Sequence, residues 1–292
     1  MLPGRSFVIA RHRQRSMRTL KFTYRMELRF SSPVSRHYFA LRCIPKDSPR
    51  QKIHLTRREV EPAEYLDELE DGFQNLKLTG GCLAPHSFFR FHVEGTAEVE
   101  GMGFQEEPLH PMYRYPSRYT AFEPEVAEFA ERAMERCREA KAEKILEKAV
   151  CVMDYLHANF AYVPGITNIG TTAAEALRMG KGVCQDYAHI MTAVMRYMGI
   201  PARYVNGLMI GEGFTHAWVE VYTEKGWYGL DPTNRLHIDD YYIVLAKGRD
   251  YGDCPVDKGC FFGNAAQQQN IYVNVEEMEH DRDRGINGTA GG

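Results

Sequence analysis

The sequence predicts an α+β protein in which a β-rich part comes first and a part with helices followed by strands comes second. Three observations support this: alternating segments begin at Lys21, residues 108–116 are crowded with prolines, and apolar residues then recur at helical spacing. A chain of 292 residues is long enough for two domains, at roughly 150 residues each. Since proline breaks regular elements, we place the domain boundary after residue 115.

Residues 21–115 are predicted to form a small β-sandwich or barrel. Alternating apolar side chains define one face of the first strand, and they are Phe22, Tyr24, Met26, Leu28 and Phe30. Further segments of strand character, separated by Pro, Gly and Asp clusters, lie at 37–42, 51–56, 75–78 and 88–100. Short strands at this spacing are typical of sandwiches and barrels.

Residues 116–279 are predicted to form the second domain. Apolar periodicity indicates two helices, or one kinked helix, over about 124–160. Thr172 and Glu175 form a capping box for a short helix, and a further amphipathic helix ends before Gly199. Strands are predicted at 202–210, 214–223, 226–230, 241–246 and 270–276. Helices first and hairpin-linked strands after them favour a mostly antiparallel sheet.

The two ends of the chain, residues 1–20 and 280–292, are expected to be a disordered basic arm and a disordered tail. The net charge of −3 gives no overall footprint for nucleic acid. The arm's apolar run, 7–10, is too short for a secretory signal, and no stretch approaches the roughly 20 apolar residues of a membrane helix. The seven scattered cysteines lack a disulfide framework. We therefore expect a cytoplasmic protein without nucleic-acid or membrane partners.

Cys184 is the candidate nucleophile. It follows a Gly-Lys-Gly turn and stands at the predicted start of the amphipathic helix. The positive end of the helix dipole favours the thiolate, which is the attacking species. The backbone N–H of Cys184 has no partner at the helix start and can donate to the oxyanion formed on a substrate carbonyl. One residue is thus expected to serve two roles.

His216 and Asp231 are the candidate base and its orienting carboxylate. The strand FTHAWVEVY places His216 on the face that carries Trp218, and the next strand ends in Asp231. A hairpin pairing of these strands would bring the carboxylate beside the imidazole. Such a carboxylate fixes the tautomer and stabilises the imidazolium.

Three blocks of the sequence, GVCQDYAHIMTAVMRYMGIPARYV, HAWVEVY and GWYGLDPTN, resemble the transglutaminase-like superfamily. The order Cys, His, Asp matches, and the spacings of 32 and 15 residues between Cys184, His216 and Asp231 are similar to those of bacterial members. This resemblance covers about residues 120–275. A less specific likeness, carried by FSSPVSRHYFALRCIP, relates the first domain to the β-rich module of a bacterial subgroup.

The resemblance implies a papain-like fold for the second domain and a triad of Cys184, His216 and Asp231. It also implies acyl transfer through a thioester on a peptide or protein substrate, with water or a small amine as acceptor and without a cofactor. A further oxyanion donor is usual upstream of the nucleophile, where Tyr162 is the candidate and Asn168 its competitor. The acidic clusters of animal transglutaminases are not recognisable, so calcium activation is not expected.

Three functions stay open at this point. Amide or peptide hydrolysis leads because water is always available; protein-glutamine transamidation is the alternative, and a catalytically silent binding scaffold is the third. The complete triad argues against the scaffold. His189 lies about 140° around the helix from Cys184, which favours a surface or core role. Cys254 and Cys260 lack the spacing and the histidine pair of a zinc site, so no metal is expected.

Overall fold

The computed structural model describes residues 17–101 and 103–278. The disorder predicted for the two ends concerns residues that lie outside this range, apart from residues 17–20. Those four residues require a correction, because the first strand, β1, begins at Met17 and Leu20 is already fully buried. The sequence pattern conceals this start because Arg18, on the same face as Leu20, packs its guanidinium over the ring of Tyr241.

The N-terminal module is built on β1 (Met17–Leu41), which spans 25 residues and pairs along both edges. The other strands of this part of the chain are β2 (Gln51–Glu61), β3 (Tyr65–Glu70), β4 (Leu76–Cys82) and β5 (His86–Glu100). The first half of β1 pairs with β5 and its second half with β4, so the segment predicted at 37–42 continues β1. Strand β3 escaped prediction because all six residues are exposed and give no alternation.

The helices of the second domain form a layer in front of its sheet. They are α1 (Pro124–Glu139), α2 (Ile145–Asn159), α3 (Ala173–Met179) and α4 (Cys184–Tyr197). Residues 124–160 therefore form two separate helices and not one kinked helix. The predicted capping box is confirmed, because Thr172 and Glu175 cap each other's backbone N–H groups. In the described part of the chain, no helix has the length and apolar character needed to cross a membrane.

A five-stranded antiparallel sheet confirms the predicted α+β class. Before it, the short strands β6 (Ala161–Tyr162) and β7 (Lys181–Gly182) pair in parallel. The sheet contains β8 (Ala202–Met209), β10 (His216–Thr223), β11 (Gly226–Asp231), β12 (Leu236–His237) and β13 (Tyr242–Gly248), in the order β12-β11-β10-β8-β13. One face packs on the helices through Ala217, Val219 and Val221. The other face joins the core of the N-terminal module through Leu208 and Ile243.

The C-terminal strands return to the N-terminal module, which corrects the assignment of residues 116–279 to one separate domain. Strands β14 (Asp257–Phe262) and β15 (Gln267–Glu277) both pair with β1. Strand β15 in turn pairs with β9 (Gly211–Gly213), which lies just before β10 in the chain. The eight-stranded sheet of the N-terminal module is thus completed by segments from the C-terminal half.

A buried charge cluster fastens the linker between the two domains to the five-stranded sheet. Arg203 on β8 donates to Glu220 on β10 at 2.7 Å and to Glu107 of the linker at 2.7 Å. Gln105, also in the linker, donates to Glu220 at 2.9 Å and exchanges backbone hydrogen bonds with Trp227. Arg203 and Glu220 are both buried, and the positive charge of Arg203 stabilises the carboxylate of Glu220 where water cannot reach it.

We expect Glu220→Gln to lower the free energy of unfolding by about 3 kcal/mol, because it leaves the buried guanidinium of Arg203 without its buried partner. The matched control is Glu128→Gln, which removes one carboxylate of an exposed pair on α1 with Arg132 and should cost less than about 0.5 kcal/mol. Urea unfolding followed by circular dichroism measures both. Equal losses in the two variants would contradict the role given to the buried pair.

The difference in the free energy of unfolding between the wild type and Glu220→Gln is also predicted to depend on pH. Burial favours the neutral carboxyl of Glu220, but Arg203 and Lys247 outweigh burial and lower its pKa to about 2. A carboxylate with a depressed pKa contributes stability above its unfolded pKa of about 4.3, and this contribution is lost as the pH falls towards 2. The stability difference between the wild type and Glu220→Gln should therefore narrow as the pH is lowered from 5 towards 2.

Candidate active site

Cys184 is the first residue of α4, as the sequence predicts. Helix α3 ends at Met179 and is capped by Gly180, whose φ of 66° is the left-handed conformation common at helix ends; β7 leads from there to Val183. Val183 is extended and forms the N-cap of α4. The side chain of Cys184 is half-buried, and its N–H lies in the first turn, where helix geometry provides no acceptor.

Asp186 fixes this helix start and was missed by sequence reasoning. Its Oδ2 accepts a hydrogen bond from the N–H of Val183 at 2.7 Å and another from the hydroxyl of Thr167 at 2.7 Å. Gly182 is required here, because an added Cβ would lie 2.4 Å from Oδ2 of Asp186. The signal that could have revealed Asp186 is its position as an acid three residues after an N-cap, the same spacing as in the box that begins α3.

His216 and Asp231 meet as the hairpin argument predicts. Nε2 of His216 lies 2.7 Å from Oδ2 of Asp231, and both residues are buried. The side chain of Cys184 lies close enough to His216 to interact with it electrostatically. Since Asp231 engages Nε2, the nitrogen left for Cys184 is Nδ1. The structure therefore brings all three predicted residues together, from α4, β10 and β11.

Asp231 is held by more groups than the sequence indicates. Its Oδ2 accepts from the hydroxyl of Tyr242 at 2.9 Å and from the side-chain amide of Asn234 at 2.8 Å. Its Oδ1 accepts from the backbone N–H groups of Thr233 and Asn234 at 3.0 and 3.1 Å. The run Asp-Pro-Thr-Asn signals the turn that supplies three of these bonds. No local signal identifies Tyr242, which reaches Asp231 from β13.

The electrostatics of the site favour a charged His216. Burial disfavours the imidazolium, but the carboxylate of Asp231 and the side chain of Cys184 outweigh burial and raise the pKa of His216 to about 10. Burial likewise acts against the Asp231 carboxylate, and His216 and Asn234 overcome it, so its pKa is lowered. His216 stacks near Trp218, with ring centroids 6.4 Å apart, which confirms the predicted common face. The imidazolium favours the thiolate of Cys184.

The two candidate oxyanion donors differ in their surroundings. Tyr162 on β6 pairs with Gly182 on β7, and burial together with the charge of Cys184 raises its pKa, so its hydroxyl keeps its proton. Tyr162 is 54% exposed. The side-chain oxygen of Asn168 instead accepts the N–H of Gly170 at 2.8 Å, within the same loop. The structure therefore places Tyr162 beside Cys184 and engages Asn168 in a turn.

His189, Cys254 and Cys260 were not predicted to take part in the site, and the structure shows where each of them lies. His189 is fully buried, stacks on Tyr119 with centroids 5.2 Å apart, and accepts the N–H of Tyr251 at 3.1 Å, which confirms a core role. Cys254 is buried and donates to the carbonyl of Asp250, whereas Cys260 is exposed. Over residues 17–101 and 103–278, no group of three or more His, Cys, Asp or Glu residues is arranged to hold a metal ion.

Two family models match the chain. The transglutaminase-like superfamily matches residues 131–232, a range that contains Cys184, His216 and Asp231. The bacterial transglutaminase-like N-terminal region matches residues 20–98. The chain therefore has a core of the transglutaminase-like superfamily, preceded by a bacterial transglutaminase-like N-terminal region.

Individual relatives are similar to this chain over different parts of its length. An uncharacterized protein from Mycobacterium leprae is 28% identical over 272 residues, which cover 85% of this chain and 95% of the relative. A protein-glutamine gamma-glutamyltransferase from Pseudomonas aeruginosa is 32% identical over 114 residues, 34% of this chain and 17% of that protein. A solved structure described as a "putative cysteine protease" from Cytophaga hutchinsonii has a TM-score of 0.72 at 22% identity, covering 94% of this chain and 95% of its own, and shows that the fold is shared.

Removing the orienting carboxylate should reverse the pKa shift of His216. In a Cys184→Ala background, which removes the thiol, we expect the imidazole of His216 to titrate above its ordinary value of about 6.5 because Asp231 is still present. In Cys184→Ala/Asp231→Asn it should titrate below that value, because burial then acts unopposed. Nitrogen-15 NMR of the imidazole measures both. His37, whose pKa burial and His86 hold at about 4, is the internal reference. An unchanged titration of His216 would refute the assignment.

Asp186→Ala should disturb the nucleophile as well as the fold. The loss of two hydrogen bonds should lower the free energy of unfolding by about 1–2 kcal/mol. It should also slow the alkylation of Cys184 by iodoacetamide about tenfold, because the thiol is displaced from His216. Glu175→Ala removes the equivalent cap from α3 and should reduce stability without slowing alkylation. Equal alkylation rates in the two variants would contradict a positioning role for Asp186.

Proposed function

We propose that this chain is an enzyme that forms a thioester between Cys184 and the acyl group of a peptide or glutamine amide, and that water then releases the acyl group. The observation that carries the proposal is the buried His216, which bonds to Asp231 through Nε2 and interacts electrostatically with the nearby side chain of Cys184. This is the arrangement of nucleophile, base and orienting group that covalent acyl transfer requires. The match of the core to the transglutaminase-like superfamily supports it.

In the acylation step, the sulfur of Cys184 bonds to the carbonyl carbon and the carbonyl electron pair moves onto oxygen. The N–H of Cys184 and the hydroxyl of Tyr162 are the donors proposed for that oxyanion. As the carbonyl re-forms, the C–N bond breaks, and the leaving ammonia or amine takes a proton from the imidazolium of His216. The products are the thioester and neutral His216.

In the deacylation step, neutral His216 takes a proton from water as the water oxygen attacks the thioester carbonyl. Collapse of the second tetrahedral intermediate breaks the C–S bond and restores the Cys184 thiolate beside the imidazolium. Asp231 keeps its charge throughout and stabilises the imidazolium. Four hydrogen-bond donors besides His216 stabilise this carboxylate in its buried position. The net reaction is hydrolysis of the amide.

Transamidation is the second candidate, in which a primary amine replaces water in the deacylation step. The observation that favours it is the 32% identity, over 114 residues, with the protein-glutamine gamma-glutamyltransferase of Pseudomonas aeruginosa. The acylation step is the same in both candidates. Only the acceptor differs.

The two candidates are separated by incubating the protein with glutamine-containing peptides in ¹⁸O-labelled water, with and without a fluorescent primary amine. Mass spectrometry of the products distinguishes three fates: an ¹⁸O-containing acid from hydrolysis, an amine adduct from transamidation, or unchanged peptide. We expect the ¹⁸O-containing acid to be the main product. An amine adduct as the main product would favour transamidation, and unchanged peptides would favour a catalytically silent scaffold.

Cysteine substitutions identify the nucleophile in the same assay. Cys184→Ala should lower turnover by about 10⁴-fold or more, because the proposed thioester forms on the sulfur of Cys184. The matched control is Cys260→Ala, since Cys260 is an exposed cysteine on β14. It should retain full turnover. Turnover that survives in Cys184→Ala would rule out the proposed chemistry.

A further inference from the structure

Several strongly exposed apolar side chains lie on the segments that carry the candidate active site. Phe214, two residues before His216, is 74% exposed and is the most exposed large apolar side chain of the described residues. Ile169, in the loop before α3, is 67% exposed. Single exposed apolar residues are ordinary on protein surfaces. Two such side chains next to the two reacting groups call for a specific explanation, because apolar surface beside a site commonly contacts a ligand.

Phe214 is held in its exposed position by the N-terminal module. Strand β9, which ends immediately before it, pairs with β15 through Gly211, Glu212 and Gly213. Two residues after it, β10 begins at His216 and pairs with β8. Since both flanking segments are fixed by strand pairing, Phe214 is presented to solvent by ordered backbone on either side.

Ile169 is held on the side of Cys184. Its carbonyl accepts a hydrogen bond from the side chain of Gln185, the residue after Cys184, at 3.3 Å. Thr167 in the same loop is fixed to Asp186 at the start of α4. The loop is therefore attached to the first turn of the helix that carries the nucleophile.

From these positions we propose that Phe214 and Ile169 select the substrate, and that they bind apolar side chains flanking the reacting amide of a peptide. The proposal rests on the function proposed above for Cys184 and His216. Phe214 precedes the base by two residues, and the carbonyl of Ile169 is bonded to the residue after the nucleophile. We therefore expect a peptide whose carbonyl reaches Cys184 to bring its neighbouring side chains to Phe214 and Ile169. Burial of those side chains against Phe214 and Ile169 is favourable only if they are apolar.

The test is protection of Cys184 from iodoacetamide by two peptides, Ac-Gly-Leu-Gln-Leu-Gly-NH₂ and Ac-Gly-Ser-Gln-Ser-Gly-NH₂. Mass spectrometry follows carbamidomethylation of Cys184, and each variant is compared with its own rate without peptide. We expect the leucine peptide to give half-protection at a concentration at least about tenfold lower than the serine peptide. Phe214→Ser and Ile169→Ser should each reduce the ratio of the two half-protection concentrations, serine peptide over leucine peptide, several-fold.

The matched control is Phe262→Ser. Phe262 is 69% exposed but lies on β14 in the N-terminal module, and its substitution should leave the ratio unchanged. Equal protection by the two peptides, protection by neither, or the same loss in Phe262→Ser as in Phe214→Ser would overturn the proposal. Turnover of the same peptides, measured in parallel, tests the proposed chemistry separately, because protection requires binding and not reaction.

Discussion

The buried carboxylate of Asp231 is the group on which the candidate site depends. A charge in a fully buried position is costly unless hydrogen bonds and an opposite charge replace the water it has lost. Here His216, Tyr242, Asn234 and the backbone of Thr233 supply those partners. They come from β10, β13 and the turn after β11, so the order of the strands in the sheet is what keeps Asp231 ionised. An ionised Asp231 in turn raises the pKa of His216 and so favours the imidazolium.

Sequence patterns predict this site well where the information is local. The helix start at Cys184, the strand face of His216 and the turn at Asp231 each follow from a few neighbouring residues, and the spacing of the three carries the family resemblance. Tyr242 could not be found in this way, because its contact with Asp231 exists only once β13 has docked against β8 at the far edge of the sheet. Asp186 had a local signal, because it is an acid three residues after the N-cap Val183. The sequence interpretation of this segment considered only the helix start at Cys184.

The fold shows the same division between local and distant information. The bounds of most helices and strands follow from periodicity, and the two helices of 124–160 are separated by a turn at Lys141 with a φ of 53°. The return of β14 and β15 to β1 could not be predicted, since a strand's pattern specifies a buried face and not the partner at its edge. A division of the chain by composition therefore put these strands in the wrong half.

That return has a consequence for the site. Strand β15 pairs with β1 along eleven residues, from Leu20 opposite Glu277 to Phe30 opposite Gln267, and on its other edge it pairs with β9. The segment that leads into His216 is therefore the last strand of the N-terminal sheet and also leads into β10 of the five-stranded sheet. An isolated second domain would lack the partner that orders β9, and would leave the backbone before His216 unpaired. The N-terminal module is accordingly a structural part of the candidate active site.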